Sequence, residues 1–249
     1  MSENSINVKN VSKKFRLYHE KRTTLYESIT GSVNRTPHYE TLQVLDDISF
    51  NVKKGESFGI VGRNGSGKTT LLRILSHIYQ PDSGSVETNG IVVPVLALGL
   101  GFHPDLTAIT NIYQSSILLG ITKNQIAERI DEIIKFADLE KFADTKLKNF
   151  SSGMAMRLAF ATAVQVDPAV LLLDEVIAVG DVNFQKKCLA VMLDFKKRGK
   201  SIVIVSHGPS DIKKLCDRAM FIKDGHVEIL GKPDEVLDSY TNYMSELQK

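Results

Sequence analysis

The chain has little cysteine and no long apolar run. Its two cysteines, Cys188 and Cys216, are far apart and match no zinc-ligand spacing, so we expect reduced thiols in a core. The best apolar stretch, residues 91–101, is well below the roughly 18 residues that a membrane-spanning helix needs. The polar start MSENSINVKN has no signal-peptide pattern. These absences argue against a secreted or membrane-spanning chain and predict a cytoplasmic one.

The chain also lacks an excess of charge of one sign. Lys and Arg number 31 and Asp and Glu number 29, which gives a net charge of +2, and no long basic run or repeat occurs. Nucleic-acid binding is therefore not expected. At 249 residues with 43% hydrophobic residues, the chain is large enough to bury a substantial core.

A glycine-rich segment, Gly62–Thr69 with the sequence GRNGSGKT, follows an apolar run. It matches G-x-x-x-x-G-K-T at every fixed position, and its glycines let the backbone curl so that N–H groups point at an anion. Lys68 can reach the β- and γ-phosphates of a nucleotide, and the Thr69 hydroxyl can ligate Mg²⁺. The expected phosphate-binding residues are Gly62, Arg63, Asn64, Gly65, Ser66, Gly67, Lys68, Thr69 and Thr70.

An apolar segment, Val170–Glu175 with the sequence VLLLDE, ends in two carboxylates. A buried strand would deliver both to the carboxyl end of a sheet, where ligands bind in doubly wound folds. Asp174 is then placed to hold Mg²⁺ through water, and Glu175 to polarise an attacking water as general base. Because many ordinary strands end in Asp-Glu, this assignment depends on the phosphate loop.

Two further segments carry polar residues beside a predicted element. SIVIVSH is an apolar run that places His207 at a strand end. FSSGM, residues 150–154, precedes apolar residues at helical spacing, so Ser151 and Ser152 are candidate helix caps.

The order of the phosphate loop, FSSGM and VLLLDE resembles that of the ATP-binding cassette (ABC) ATPases, whose signature usually reads LSGGQ. The resemblance implies that Ser151 and Gly153 face the γ-phosphate bound by a second subunit. It also implies that His207 is the switch histidine contacting the γ-phosphate and that Asp181 is the D-loop aspartate. Ser152 and Met154 depart from the usual signature.

SSGM resembles the branch of the family that exports cell-surface polysaccharides such as O-antigen, capsule and teichoic acid. LGLGFHPDLTAITNIY and DEVIAVGDVNFQKKC resemble the same branch, and the likeness extends from about Ile6 to about Tyr243. One position departs from it, because Ala97 stands where the family has glutamine or glutamate. Alanine cannot ligate Mg²⁺ or orient water, so no catalytic residue is expected in that loop.

Adenine needs a flat partner. Phe15 lies where the family's stacking aromatic lies, with Tyr18 as a near rival, and either residue alternatively belongs to a core strand. Residues 16–41 form an insertion before VLDDISFNV. LYESITGSV within it has helical periodicity, and in the family a short helix here is associated with the polymer entrance; the alternative is a surface loop.

The fold predicted is α/β, with a P-loop NTPase ABC ATPase core, a helical subdomain and an antiparallel β subdomain. A single ATP-binding domain is expected over residues 1–249, with its core at 1–90 and 161–249 and its helical subdomain at about 91–160. A closing helix is expected after Gly231, and no carbohydrate-binding domain after it.

The resemblance implies an ATPase subunit of a polysaccharide exporter, with ATP and Mg²⁺ as cofactors. The expected partners are a second copy of this chain, two copies of a separate transmembrane permease subunit, and a lipid-linked polysaccharide as cargo. The expected location is the cytoplasmic face of the inner (cytoplasmic) membrane.

Three alternatives remain open on the sequence. An exporter subunit for a drug, lipid or peptide shares the ATPase core, and only SSGM, GFHP and FQKKC argue against it. A soluble ABC protein of translation or DNA repair typically has two cassettes or a long coiled coil, which this chain lacks. A nonhydrolytic ATP-dependent switch remains open because of Ala97, although intact Glu175 and His207 argue against it.

Overall fold

The computed structural model describes residues 3–18, 39–95, 101–174, 181–206 and 208–247. Its strands are β1 (Asn4–Tyr18), β2 (Tyr39–Lys53), β3 (Ser57–Val61), β4 (Ser83–Thr88), β5 (Val92–Val95), β6 (Val170–Asp174), β7 (Ser201–Val205), β8 (Arg218–Lys223) and β9 (His226–Gly231). Its helices are α1 (Lys68–Leu75), α2 (Ala108–Leu118), α3 (Lys123–Ala127), α4 (Ile130–Phe136), α5 (Ser152–Gln165), α6 (Val182–Lys197), α7 (Pro209–Leu215) and α8 (Pro233–Glu246). Short 3₁₀ turns occur at Glu140–Phe142 and Leu147–Asn149.

The strands form two sheets. A three-stranded antiparallel sheet has the order β2-β1-β4, and a six-stranded sheet has the order β5-β6-β7-β3-β8-β9. All pairs of the larger sheet are parallel except β8 with β9. Parallel strands need crossover connections, which the intervening helices supply.

The central strands of the larger sheet are buried on both faces, as their unbroken apolar sequences predict. Alternate residues of β6 enter two different core clusters: Leu171 and Leu173 pack on one side, and Val170 and Leu172 on the other. A third cluster joins α2 and α4 to α5 through residues such as Ile112, which is fully buried.

Several helices begin at a residue whose side chain accepts a backbone N–H, which satisfies a donor that the first turn leaves open. Thr107 caps α2 in this way, and Ser151 and Asp181 cap α5 and α6. Thr122 forms a reciprocal capping box with Gln125 at the start of α3.

The predicted α/β class, with a helical segment and an antiparallel sheet beside a parallel core, is confirmed, and α8 is the expected closing helix. The division at residues 90 and 160 stays a prediction. β5 belongs to the larger sheet, and the first helix after it begins at Ala108. The expected helix in LYESITGSV lies outside the described residues.

Candidate nucleotide site

The glycine-rich loop connects β3 to α1, the strand-to-helix setting that the phosphate-loop interpretation requires. Gly67 is the N-cap of α1 and has a left-handed φ of 99°. A Cβ there would lie 2.6 Å from Leu45 Cδ2 and 2.7 Å from the Val44 carbonyl oxygen. Only glycine fits, so the loop can pass close against β2 and present the start of α1 to a ligand.

Lys68 is nearly buried, at 5% exposure, and its ammonium lies against its own loop. Nζ donates to the carbonyl oxygens of Gly62 and Arg63, at 2.7 Å each. A buried ammonium needs such partners, because an unpaired charge is costly inside a protein. The two bonds hold the lysine in the loop at the position where phosphate oxygens would meet it.

The end of β6 meets the start of α1. The Thr69 hydroxyl donates to the Asp174 carboxylate, with 3.0 Å between Oγ1 and Oδ2. A hydroxyl and a carboxylate are oxygen donors of the kind that Mg²⁺ takes when it also binds phosphate. The side chains present at this junction therefore fit the expected ion.

A cavity of about 650 Å³ lies beside the loop and extends to the β1–β2 hairpin. Its lining residues are Phe15, Arg16, Leu17, Leu42, Val44, Asn64, Gly65, Gly67, Lys68, Thr69, Thr70, Arg73 and Tyr79. One end is thus phosphate-binding in character, and the other is apolar and aromatic. Phe15, the predicted adenine partner, is one of the lining residues, and that role stays a prediction; Tyr18 ends β1, but its side chain lies outside the described residues.

The remaining loop residues lie toward a second, smaller cavity. Arg63 and Ser66 line a space of about 150 Å³ beneath the loop, together with Lys223 and Tyr243. Within the described ranges, the buried Ser66 hydroxyl has no hydrogen-bond partner.

The signature segment is at the start of α5. Ser151 is the N-cap, and its hydroxyl accepts the backbone N–H of Met154 at 3.2 Å. Gly153 lies half-buried in the first turn, after the exposed Ser151 and Ser152, and a Cβ on it would meet only Ser151 Oγ, at 3.9 Å, among the described atoms. This open helix start can approach an anion.

Asp181 caps α6 by accepting the backbone N–H groups of Asn183 and Phe184, both at 2.9 Å. These bonds favour the ionised form, and the Phe184 amide contributes most to holding the pKa of the Asp181 carboxyl below its usual range. Among the described residues, neither this side chain nor the signature segment lines the 650 Å³ cavity. One copy of the chain therefore holds two separate groups of predicted residues.

Both predicted catalytic residues, Glu175 and His207, lie outside the described residues, as does Ala97. The immediate neighbours of position 207 are described. Ser206 Oγ donates to Asp211 Oδ2 at 3.3 Å and accepts the Gly208 N–H at 3.0 Å. The roles of Glu175 and His207 remain predictions.

Sequence reasoning missed an aromatic and cationic wall of the cavity. Tyr79 packs edge-on against Phe15, with 5.7 Å between ring centroids. Arg73 lies 5.4 Å from the Tyr79 ring centroid and donates to the tyrosine hydroxyl at 3.0 Å. Arg73 follows Thr69 by one helical turn, so helical spacing was the available signal. Nothing in the sequence indicated Leu42 or Val44, which come from the hairpin.

A phosphate loop between β3 and α1, met by a threonine–aspartate pair at the end of β6, defines a P-loop nucleotide-binding cassette. The sequence model of the ABC transporter family matches residues 45–178. The chain belongs to the ABC transporter family.

The named relatives are components of export systems. The chain is 47% identical over 204 residues to the O-antigen export system ATP-binding protein RfbB of Myxococcus xanthus, which covers 82% of this chain and 47% of that protein. It is 38% identical over 242 residues to the protein of the same name from Klebsiella pneumoniae, covering 96% and 98% of the two chains. The teichoic acids export ATP-binding protein TagH of Bacillus anthracis is 39% identical over 241 residues, covering 97% of this chain and 43% of that protein.

The chain therefore spans about half the length of some relatives and nearly the full length of another. These similarities confirm the predicted resemblance to polysaccharide-export ATP-binding proteins.

Solved structures agree on the fold. A dimeric ATP-binding cassette in a post-hydrolysis state bound to ADP and Pi superposes with a TM-score of 0.73 at 24% identity, covering 92% of this chain and 98% of that one. An ATP-binding subunit of an ABC transporter gives a TM-score of 0.76 at 20% identity, covering 98% and 99%. In the part of this chain that the structure describes, no helix has the length and apolarity to cross a membrane.

Proposed function

We propose that this chain is the ATP-hydrolysing subunit of an ABC transporter that exports a cell-surface polysaccharide. The junction of the phosphate loop with β6, where Thr69 meets Asp174 beside the loop that holds Lys68, carries the ATPase part. Similarity over nearly the full length of the Klebsiella O-antigen export protein supports the export part.

ATP binds in the 650 Å³ cavity with its phosphates on the loop and its base toward the hairpin. Loop N–H groups and the helix start attract the phosphates, and Lys68 supplies the charge that meets the β- and γ-phosphates. Phe15 supports the adenine ring at the other end. Because the cavity walls come from the β1–β2 hairpin, the loop, α1 and the turn after α1, the nucleotide joins the antiparallel sheet to the core.

Thr69 and Asp174 are the residues that would hold Mg²⁺, which screens the phosphate charge as the γ-phosphate is transferred to water. Glu175, which follows Asp174 directly, is proposed as the general base. His207, which follows β7, is proposed to contact the γ-phosphate.

Two copies of the chain act together. Ser151 and Gly153 of one copy face the γ-phosphate in the other, and the exposed start of α5 supports this arrangement because it can approach an anion without rearranging. Two copies of a separate transmembrane subunit complete the exporter, and the cargo is a lipid-linked polysaccharide. The chain acts at the cytoplasmic face of the inner (cytoplasmic) membrane.

The test combines a deletion strain with a reconstituted complex. Lys68→Ala should lower ATP turnover on the order of 100-fold or more, because the γ-phosphate loses a preorganised positive partner during its transfer. The variant should also fail to restore surface polysaccharide to the deletion strain. Turnover is measured as phosphate release by the complex in vesicles, and polysaccharide by cell-surface labelling.

Lys196→Ala is the matched control, since Lys196 also makes a close contact, 2.6 Å to Asp217, but lies on α6 away from the cavity. Lys196→Ala should keep wild-type ATP turnover and should restore surface polysaccharide to the deletion strain. Wild-type turnover in Lys68→Ala would refute the nucleotide assignment. If the deletion strain has normal surface polysaccharide while the reconstituted wild-type complex hydrolyses ATP, the proposed cargo is refuted. That result would favour a drug, lipid or peptide exporter.

A further inference from the structure

Three helices meet at one aromatic cluster. Phe136 ends α4, Phe160 lies in α5 and Phe184 lies in the first turn of α6. Their ring centroids are 5.8 to 6.2 Å apart in every pair. Phe160 and Phe184 are essentially fully buried, so the cluster is a packed junction between the helical segment, the signature helix and the D-loop helix.

Near the surface, a charged cluster also connects the end of α4 with α5 and α6. Lys187 of α6 donates to both carboxylate oxygens of Asp138, at 2.7 and 2.8 Å, and to the carbonyl oxygen of Phe136 at 3.4 Å. Arg157 of α5 lies 4.0 Å from the same carboxylate. Asp138, two residues beyond the end of α4, thus contacts a cation from each of the other two helices.

The backbone of Asp138 has a left-handed φ of 55°. The position after a helix commonly adopts this conformation, usually as glycine or asparagine, and aspartate is one of the few other residues that tolerate it. The ion pair is also half exposed, and such pairs add little to the free energy of unfolding. The backbone therefore permits aspartate here without selecting it over glycine or asparagine, and stability does not account for the carboxylate.

Each cation lies close to a predicted site residue on its own helix. Arg157 follows the cap Ser151 by less than two turns of α5, and Lys187 follows the cap Asp181 by less than two turns of α6. Asp138 therefore connects the two helices whose N-termini carry the signature and the D-loop. A rotation of one helix against the other would break one of its two contacts.

The positive charges of Arg157 and Lys187 also act on the carboxyl group of Asp181. The amide of Phe184 is the main cause of its lowered pKa, and the amide of Asn183 and the positive charges of Arg157 and Lys187 act in the same direction. The cations thus lie near enough to the D-loop cap to favour its ionised form.

We propose that Asp138 is a positioning residue, which fixes the signature helix α5 and the D-loop helix α6 in one relative orientation. Both helix starts then approach the partner's nucleotide as one unit when two copies close. This inference rests on the proposed ATPase function and adds a residue outside all of its motifs.

The test is Asp138→Asn in the reconstituted complex. Asparagine suits the left-handed backbone and keeps the side-chain shape, so the chain should unfold at an unchanged or slightly higher temperature. ATP turnover should fall about fivefold, at the low end of typical coupling between sites because the pair is half exposed. The affinity of the isolated subunit for ATP should not change, since the cavity lies elsewhere.

Lys187→Gln should produce the same loss, and the double variant no further loss, because each change breaks the same contact. Asp167→Asn is the matched control. Asp167 also has a left-handed φ, 54°, and also pairs with two cations, Arg198 at 2.8 Å and Lys200 at 3.1 Å, but it lies at the opposite end of α5. Its turnover should remain at the wild-type level.

Full turnover by Asp138→Asn, an equal loss in Asp167→Asn, or a loss that parallels a lower unfolding temperature would each overturn the positioning role. The proposed ATPase function would survive all three results. A wild-type complex without ATP turnover would refute the proposed function itself, and the inference with it.

Discussion

At the aromatic end of the nucleotide cavity, Phe15 is supported by two side chains, Tyr79 and Arg73. Neither was predicted to contact the nucleotide. Phe15 contacts the edge of Tyr79, and Tyr79 is fixed by the hydrogen bond and the stacked guanidinium of Arg73. Such contacts contribute about 0.5–1.5 kcal/mol beyond burial alone. Here they hold Phe15 in one orientation, which would suit the proposed stacking on adenine.

Tyr79→Leu should therefore weaken ATP binding by the isolated subunit by about three- to tenfold, the factor that corresponds to roughly 1 kcal/mol. Fluorescent-nucleotide titration measures it. Tyr79→Phe is the control, because it keeps the ring against Phe15 and loses only the bond from Arg73, so its affinity should stay within about twofold of wild type. Equal affinity for all three proteins would mean that Phe15 needs no support from Tyr79.

At the scale of elements, the start of α5 assigns an observed structural role and a proposed functional role to the same side chain, Ser151. Ser151 accepts the Met154 N–H, as an ordinary cap does. Ser151→Asp should preserve that bond, because aspartate is an equally good cap. If the helix start faces a γ-phosphate across a dimer, however, the added carboxylate should repel it and lower ATP turnover by more than about tenfold at unchanged thermal stability.

Thr107→Asp is the matched control, since Thr107 caps α2 through the Thr110 N–H at 3.2 Å in the same way. It should leave turnover unchanged. Mixed dimers locate the effect, because a Ser151→Asp subunit should impair the site that contains its partner's Lys68. Full hydrolysis by the Ser151→Asp homodimer would remove the cross-subunit assignment.

The sequence was sufficient where function demands fixed spacing within one element. The phosphate loop, β6 and α8 could be predicted because their residues are neighbours along the chain. The face of β1 that Phe15 occupies could not be, because the β1–β2 register shifts between Lys13 and Lys14. A one-residue shift exchanges the two faces of a strand, and turn chemistry or periodicity does not reveal it.

Asp138 was missed for a different reason. Its contacts come from residues about 20 and 50 positions further along the chain, and its left-handed backbone lies just past a short helix. Nothing local to the sequence KFADLEKF distinguishes it from a solvated aspartate.

At the scale of the whole molecule, both thiols belong to one face of the larger sheet. Cys188 and Cys216 lie in the same apolar cluster, and burial raises the pKa of each to about 12. At pH 8 the folded protein should therefore hold on the order of a thousandfold less thiolate than the unfolded chain. Iodoacetamide should label both cysteines only at the rate of global unfolding, measured by mass spectrometry across a urea series.

The same pKa values set a direction for alkaline stability. A thiol with a raised pKa in the folded state contributes stability below its unfolded pKa, and that contribution is lost as the pH rises toward about 12. Replacing both cysteines with alanine should flatten this part of the stability–pH curve. An unaltered slope, or fast labelling in the absence of urea, would show that the cluster opens locally.

The strand order of the larger sheet also has a consequence for synthesis on the ribosome. β3, which leads into the phosphate loop, lies between β7 and β8 and pairs with both. The three-stranded sheet ends at Thr88 and can pair as soon as that residue emerges, whereas β3 has no neighbour in its sheet until Ser201–Val205 and Arg218–Lys223 have been made. Such long-range pairing is slow and leaves apolar strands uncovered. For most of translation, the phosphate loop therefore follows a strand whose neighbours β7 and β8 have not both been made. Nascent chains that end before about residue 223 should not retain nucleotide.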